Sequence, residues 1–174
     1  MTRLRKPDLS RDLREAWEGG VHRLPIQVRW RDTDGFGHVN NVVFASWIEL
    51  ARIGFLRGVD PPSGDLILAR LELDFLRQVT LDAEVEVETR VSRVGRTSVG
   101  LRHLVLADGA PAARIESVIV LFDYGRQAKR AVGPELRATL LRYATRDLVD
   151  ARPDGDAVAD AASSDERSAR SDGT

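Results

Sequence analysis

The stretch of residues 41–56 constrains the fold of this chain most, because it is too long for one strand and is apolar on nearly every side. Asn40 precedes it as a natural N-cap, and no proline interrupts it. Little polar surface is left apart from Glu49 and Arg52. A helix of this composition needs cover over most of its surface, and a curved sheet provides that cover most economically. We therefore predict a long helix held by a sheet.

Strand patterns lie on both sides of this helix. Before it, residues 24–30 alternate apolar and polar side chains, as a half-buried strand does. After it, a Pro-Pro-Ser-Gly break is followed by four strand-like stretches at about residues 65–76, 84–94, 98–106 and 112–124. Turn residues join the consecutive stretches. The order predicts an α+β fold in which one long apolar helix is wrapped by a curved antiparallel sheet of about five strands.

The two ends of the chain differ in composition from its middle. The beginning is charged throughout, with a short helix predicted at residues 10–17, and a last amphipathic helix is predicted from Pro134 to about residue 143. Beyond residue 150 there is almost no large apolar side chain, so burial cannot offset the entropy lost on ordering. We predict an N-terminal arm at 1–22, a single domain at 23–149 and a disordered tail at 150–174.

Composition excludes several classes of function. A chain of 174 residues is the size of one domain, and its net charge of −1 creates no general field that attracts nucleic acid or an anionic membrane. The absence of cysteine excludes a thiol nucleophile, a disulfide framework and a cysteine-bound metal. Neither a signal-peptide run nor a membrane-spanning stretch is found. We expect a cytoplasmic, soluble protein that binds no nucleic acid and no membrane.

The junction between the first strand and the long helix carries the residues best suited to chemistry. It contains Asp34, then two glycines, at positions 35 and 37, that let the backbone fold closely round a ligand. The first N–H groups of a helix have no intrahelical partner and lie at the positive end of its dipole. If Asn40 is the N-cap, the Asn41 N–H is free to donate to a developing oxyanion. A carboxylate beside such a donor suits acyl-group hydrolysis.

The string RWRDTDGFGHVNN, followed by Phe44, Glu49 and Arg52, resembles the hydroxybenzoyl-CoA and acyl-CoA thioesterase branch of the hotdog superfamily. The resemblance extends over about residues 24–143 and includes LDFLRQV, RVGRTSV and PELR. It implies a hotdog fold and hydrolysis of an acyl-CoA to free acid and CoA. It also implies that Asp34 is the nucleophile or general base, that the Asn41 amide polarises the carbonyl, and that the active site lies between subunits. Because a small sheet leaves its edges exposed, we expect a homodimer or homotetramer.

Other candidate site residues each allow two interpretations. His38 orients the thioester or assists proton transfer, or it is a packed loop residue. Gly37 and Asn40 are predicted to line the substrate site. Glu49 is also predicted as a substrate-site residue, and it either pairs with the arginine one turn further along the helix or hydrogen-bonds the active-site loop. Arg96, after a glycine in a turn, either contacts CoA or is a solvated surface residue.

Alternatives from other functional classes are weighed on the same residues. Asp32 is predicted to be a structural loop carboxylate, and because no further ligands are found near Asp32 and Asp34, we predict no metal and no cofactor. The main alternative is a noncatalytic hotdog module that binds acyl-CoA or acyl carrier protein. A dehydratase or a serine hydrolase is disfavoured, because neither the motif of hotdog dehydratases nor a G-x-S-x-G elbow is found. The acyl group and its carrier, CoA or acyl carrier protein, stay open.

Overall fold

A computed structural model of the chain describes residues 20–59 and 65–150. The helix predicted at 10–17, nearly all of the predicted arm at 1–22 and nearly all of the predicted tail at 150–174 lie outside the described residues. Within the described part of the chain, no helix is both long enough and apolar enough to span a membrane.

The long helix, α1, spans Asn41–Val59 and extends three residues past its predicted end. Asn40 caps it as predicted, because its side-chain Oδ1 accepts a hydrogen bond from the Val42 N–H at 3.0 Å. The Asn40 carbonyl also accepts the Val43 N–H at 2.9 Å. These two bonds fix the position at which the helix begins, and they leave the Asn41 N–H outside the capping interactions.

Among the described residues, only one face of α1 is covered. The buried face includes the large side chains Phe44, Trp47, Ile48, Phe55 and Leu56. On the opposite face, Val42, Leu50 and Ile53 are 73%, 52% and 36% exposed. The long helix packed on an antiparallel sheet is as predicted; among the described residues the sheet covers one side of α1 and leaves an apolar stripe on the other.

The strands of the described residues are β1 His22–Ile26, β2 Leu66–Phe75, β3 Val85–Val94, β4 Ser98–Ala107, β5 Ala110–Asp123, β6 Ala128–Lys129 and β7 Ala144–Asp150. They form one seven-stranded sheet, as expected in class but with more strands than the approximately five predicted. The main path runs β1-β3-β4-β5-β2 with antiparallel neighbours, while β6 pairs with β5 and β7 pairs with β3. A second helix, α2, begins at Pro134 as predicted. It spans Pro134–Leu141.

The first strand ends four residues earlier than its alternating pattern predicts. A short 3-10 turn at Trp30–Asp32 follows. Its geometry is fixed by local side chains: Asp32 Oδ2 accepts the Arg29 N–H at 2.8 Å, and the Thr33 hydroxyl donates to the Trp30 carbonyl at 2.7 Å. Such bonds from short polar side chains to nearby backbone compete with the hydrogen-bond ladder of a strand. The chain thus leaves the sheet early and turns towards the start of α1.

The interior between α1 and the sheet contains two apolar clusters separated by buried polar groups. Phe44 and Trp47 belong to one cluster, and Phe55 belongs to the other. The polar groups are His22, Arg52, Thr89, His103 and Ser117, all between 0% and 5% exposed. The His103 ring is held on both sides, with Nδ1 2.9 Å from the Thr89 hydroxyl and Nε2 2.9 Å from the Ser117 hydroxyl.

Candidate active site

A cleft of about 370 Å³ opens where the loop after the 3-10 turn meets the start of α1. One wall carries Asp34, His38 and Asn41, three of the residues predicted from the sequence. The opposite wall is residues 75–79, which begin at the last residue of β2, and Phe44 also lines the cleft. A concave site with an apolar wall and a few convergent polar groups is typical of ligand binding.

The Asp34 carboxylate is oriented by the backbone of its own loop. Its Oδ1 accepts hydrogen bonds from the Phe36 N–H at 2.8 Å and from the His38 N–H at 3.2 Å. The Asp34 N–H in turn donates to the His38 carbonyl at 2.7 Å. No hydrogen bond to Asp34 Oδ2 occurs among the described residues. One carboxylate oxygen is therefore used to hold the side chain in place, and the other is available to a ligand.

Gly37 allows this loop to close on itself. Its φ of +82° lies in the left-handed region, which a side chain strongly disfavours. A Cβ at this position would meet nothing within 4 Å, so the backbone conformation requires glycine and the surrounding space does not. Gly35 has neither a positive φ nor a close neighbour. Gly37 was predicted to line the substrate site, but it is not among the residues that line the cleft. Its contribution is conformational, because it shapes the loop that orients Asp34.

The start of α1 also reaches the cleft. Asn41 lines the cleft, and its N–H forms no hydrogen bond within the part of the chain that the structure describes. Asn40 does not line the cleft; its side chain is used in capping the helix. The half-buried side chain of His38 faces the same cleft as Asp34. The structure therefore brings together a carboxylate, an imidazole and a helix-start amide.

The second wall of the cleft is fixed by hydrogen bonds on both sides. The Val39 N–H donates to the Val79 carbonyl at 2.7 Å. On the other side, the backbone N–H groups of Leu76 and Arg77 donate to the Ala112 carbonyl at 2.9 and 3.1 Å. The Phe75 ring packs edge to face on Phe44, with 5.3 Å between ring centroids. Sequence reasoning assigned no site role to this wall, although the LDFLRQV string that contains it was the available signal.

Glu49 and Arg96 lie outside the cleft lining. Glu49 is exposed on the solvent side of α1, and among the described residues it forms no ion pair with Arg52, so the predicted pairing is wrong. Burial lowers the pKa of Arg52, and the negative charge of Glu49 partly offsets that effect. Arg96 is exposed in the turn that follows the last residue of β3. Val85, the first residue of β3, belongs to the apolar cluster that contains Phe44, so Arg96 is at the other end of the strand from that cluster. One chain does not bring either side chain to Asp34.

Asp32 occupies a structural position, as predicted. Besides bonding the Arg29 N–H through its carboxylate, it accepts the Asn40 N–H at its carbonyl at 2.8 Å. Across residues 20–59 and 65–150, no group of three or more histidine, aspartate or glutamate side chains is arranged to hold a metal ion.

Comparisons with known proteins identify relatives that share this architecture. The structure of a thioesterase from Thermus thermophilus, complexed with coenzyme A and Zn, is 38% identical, covers 71% of this chain and 94% of its own, and has a TM-score of 0.64. A predicted thioesterase from Bacillus stearothermophilus is 25% identical, covers 72% of this chain and 97% of its own, and has a TM-score of 0.68. An acyl-acyl carrier protein thioesterase of Arabidopsis thaliana is 25% identical over 76% of this chain and 74% of its own length.

The family follows from the extent of the sequence match. The sequence pattern of the thioesterase-like superfamily matches residues 28–140, which is more than half of the chain and includes both walls of the cleft. This match supports thioester hydrolysis as the general class of chemistry, and the α+β sheet with its long helix is the hotdog architecture. The chain belongs to the thioesterase-like superfamily of hotdog-fold proteins.

Proposed function

We propose that this protein hydrolyses an acyl-CoA thioester to a free acid and CoA, with Asp34 as the nucleophile or general base and the Asn41 N–H polarising the carbonyl. One observation supports this assignment most strongly. Asp34 and Asn41 line the same cleft, and within the described part of the chain neither the Asp34 Oδ2 nor the Asn41 N–H is used in a hydrogen bond. A base and an electrophilic donor thus face the same space.

In the general-base route, Asp34 takes a proton from water while the water oxygen attacks the thioester carbon. The carbonyl electron pair moves onto oxygen, where the Asn41 N–H and the helix dipole stabilise the negative charge. When the tetrahedral intermediate collapses, the C–S bond breaks and its electron pair leaves on the thiolate of CoA. Because thiols have a pKa near 8.5, this leaving group needs little help from an acid. The proton that Asp34 took from the water then passes to the thiolate, directly or through His38, and this restores the Asp34 carboxylate.

In the nucleophilic route, Asp34 itself attacks the carbon and forms a mixed anhydride as the thiolate leaves. Water then cleaves the anhydride and regenerates the carboxylate. The carbonyl oxygen becomes negatively charged in both routes. The role proposed for the Asn41 N–H is therefore the same whichever route Asp34 follows.

The relatives support CoA as the carrier. The relative of known structure that is 38% identical was solved with coenzyme A bound. The relative that acts on acyl carrier protein is 25% identical. We therefore propose CoA as the carrier of the acyl group, with acyl carrier protein as the second candidate. The cytoplasmic location expected from the sequence stays a prediction, which the distribution of the tagged protein in cell fractions can test.

We also propose a homodimer, or a tetramer built from it. The strand β2 lies at one end of the main path of the sheet, and among the described residues nothing pairs with its outer edge. Ile67 and Leu68 on this strand are each 39% exposed, and Phe75 and Leu76, at the mouth of the cleft, are 47% and 55% exposed. A second subunit would cover these side chains. The predicted substrate contacts of Glu49 and Arg96 require such a subunit, because neither residue reaches the cleft of its own chain.

Incubating the purified protein with acyl-CoA substrates tests the proposal. A panel of straight-chain and aromatic acyl-CoAs, with the same acyl groups on acyl carrier protein, reports catalysis through release of free thiol. We expect turnover of at least one acyl-CoA. The noncatalytic alternative predicts saturable binding of acyl-CoA with no release of thiol above the uncatalysed rate.

A further inference from the structure

One polar side chain of the cleft has no role in the mechanism above. Gln78 lines the wall opposite Asp34, and its side chain is exposed. Its carboxamide forms no hydrogen bond to any of the described residues. Its neighbour Arg77 is used differently, because the Arg77 guanidinium donates to the Ala107 carbonyl. Gln78 is therefore the polar side chain of this wall that is available to a ligand.

The backbone register places Gln78 beside the start of α1. His38 and Thr80 form an antiparallel bridge, and the Val39 N–H donates to the Val79 carbonyl at 2.7 Å. Gln78 lies two residues before Thr80 and Asn41 lies three residues after His38, so both lie on the side of this bridge towards α1, and both line the cleft. The bridge therefore holds the chain segment that carries Gln78 alongside the segment that leads to the Asn41 N–H.

This position matters because an oxyanion is usually held by more than one donor, and glutamine and asparagine side chains commonly serve beside a backbone N–H. In the cleft, the Asn41 N–H is one such donor. We propose that the Gln78 Nε2–H is the second donor, which hydrogen-bonds the thioester carbonyl oxygen and strengthens that bond as the oxygen becomes negative. This inference depends on the proposed thioester hydrolysis. It does not depend on whether Asp34 attacks directly or through water.

Two substitutions test the inference, with whichever of benzoyl-CoA and hexanoyl-CoA the parent protein hydrolyses faster as substrate. Gln78→Ala should lower kcat about 100-fold with little change in KM, because the lost bond matters most in the transition state. Gln78→Glu should lower kcat similarly, since a carboxylate cannot donate. It should also move the acid limb of the kcat/KM profile to higher pH, because a second negative charge in the cleft opposes the negative charge of the catalytic carboxylate.

The pH shift distinguishes a side chain in the site from one that only supports the fold. Gln27 offers a matched control, since it is an exposed glutamine after β1 that does not line the cleft. Gln27→Ala and Gln27→Glu should leave kcat and the pH profile at parental values. The inference is overturned if Gln78→Ala keeps the parental kcat or raises only KM, or if Gln78→Glu leaves the acid limb in place, while Asp34→Asn is inactive. If the parent hydrolyses neither substrate, the fastest acyl-CoA of the panel takes their place; if it hydrolyses none of that panel, the proposed function fails and this inference fails with it.

Discussion

Asp32 and Asp34 are two residues apart in the sequence, yet the structure gives their carboxylates different tasks. The Asp32 side chain bonds the Arg29 N–H and so belongs to the turn that ends the first strand. The Asp34 side chain uses one oxygen to bond the backbone of its own loop and lines the cleft. Sequence alone assigned these roles from the position of Asp34 beside the two glycines and the helix start.

Gly37 gives a prediction at the scale of a single residue. Gly37→Ala should destabilise the fold by about 1–2 kcal/mol, because a side chain at φ +82° is strained. It should also lower kcat, since the Gly37 N–H bonds the Asp34 carbonyl within the loop that orients the carboxylate. Gly35→Ala is the control, as no Cβ contact or positive φ opposes it. Urea denaturation that gives both variants equal stability would contradict this explanation.

At the scale of elements, β1 and β4 each contribute a buried histidine to the polar layer between the two apolar clusters. Burial lowers the pKa of His22 to about 4. Burial also lowers the pKa of His103 to about 3, with smaller contributions from the positive charges of Arg52 and His22. Both histidines are therefore neutral in the folded protein at neutral pH, where the unfolded chain is also mostly neutral, so their effect on stability appears only in acid.

The sign of that effect follows from proton linkage. Below pH 6.5 the unfolded chain binds protons at these two histidines, while the folded chain does not until pH about 4 for His22 and about 3 for His103. The free energy of unfolding should therefore fall as pH drops from 6.5, by up to about 1.4 kcal/mol per pH unit per histidine. In His103→Gln, denaturation curves between pH 7 and 4 should show a smaller slope. A slope equal to that of the parent would show that His103 does not contribute to the pH dependence of the free energy of unfolding.

The sequence predicts the main elements well where one physical signal dominates. The apolar run with its N-cap predicts α1, and the alternation of Val85, Val87 and Val91 with glutamates predicts β3 and its buried face. The prediction from sequence fails where side-chain hydrogen bonds or contacts between distant residues determine the secondary structure. Side-chain bonds of Asp32 end β1 early, and β7 forms by pairing in parallel with β3, a long-range contact that its polar sequence does not indicate.

The same limit applies to the candidate site. Asp34, His38 and Asn41 lie close together in the sequence, so a local motif was sufficient to find them. Gln78 reaches the cleft only because residues 75–79 are held between the active-site loop and β5, and no local pattern reports that contact. For Arg96 a local pattern was not sufficient. Its position in a turn suggested contact with CoA, but that turn follows the end of β3 and Arg96 does not line the cleft of its own chain.

At the scale of the whole molecule, the exposed edge of β2 predicts self-association. The parent protein should sediment as a dimer or tetramer at concentrations at which it is active. Replacing Ile67 and Leu68 together with lysine should shift it towards the monomer and lower activity, because buried charge opposes edge pairing and Phe75 and Leu76 at the cleft mouth lose their cover. Ala131→Lys, at an exposed position after β6, should leave the oligomer intact. A fully active monomer would contradict the dimer proposal.

The most direct test of the central claim is the turnover of Asp34→Asn on the best acyl-CoA substrate, compared with the parent and with Asp32→Asn. Asparagine keeps the size of the side chain and an oxygen that can accept the Phe36 and His38 N–H bonds, but it removes the base and nucleophile. We expect kcat to fall about 100-fold or more with KM little changed, whereas Asp32→Asn should affect stability more than kcat. A folded Asp34→Asn protein of parental oligomeric state that hydrolyses acyl-CoA at the parental rate would show that Asp34 is not catalytic.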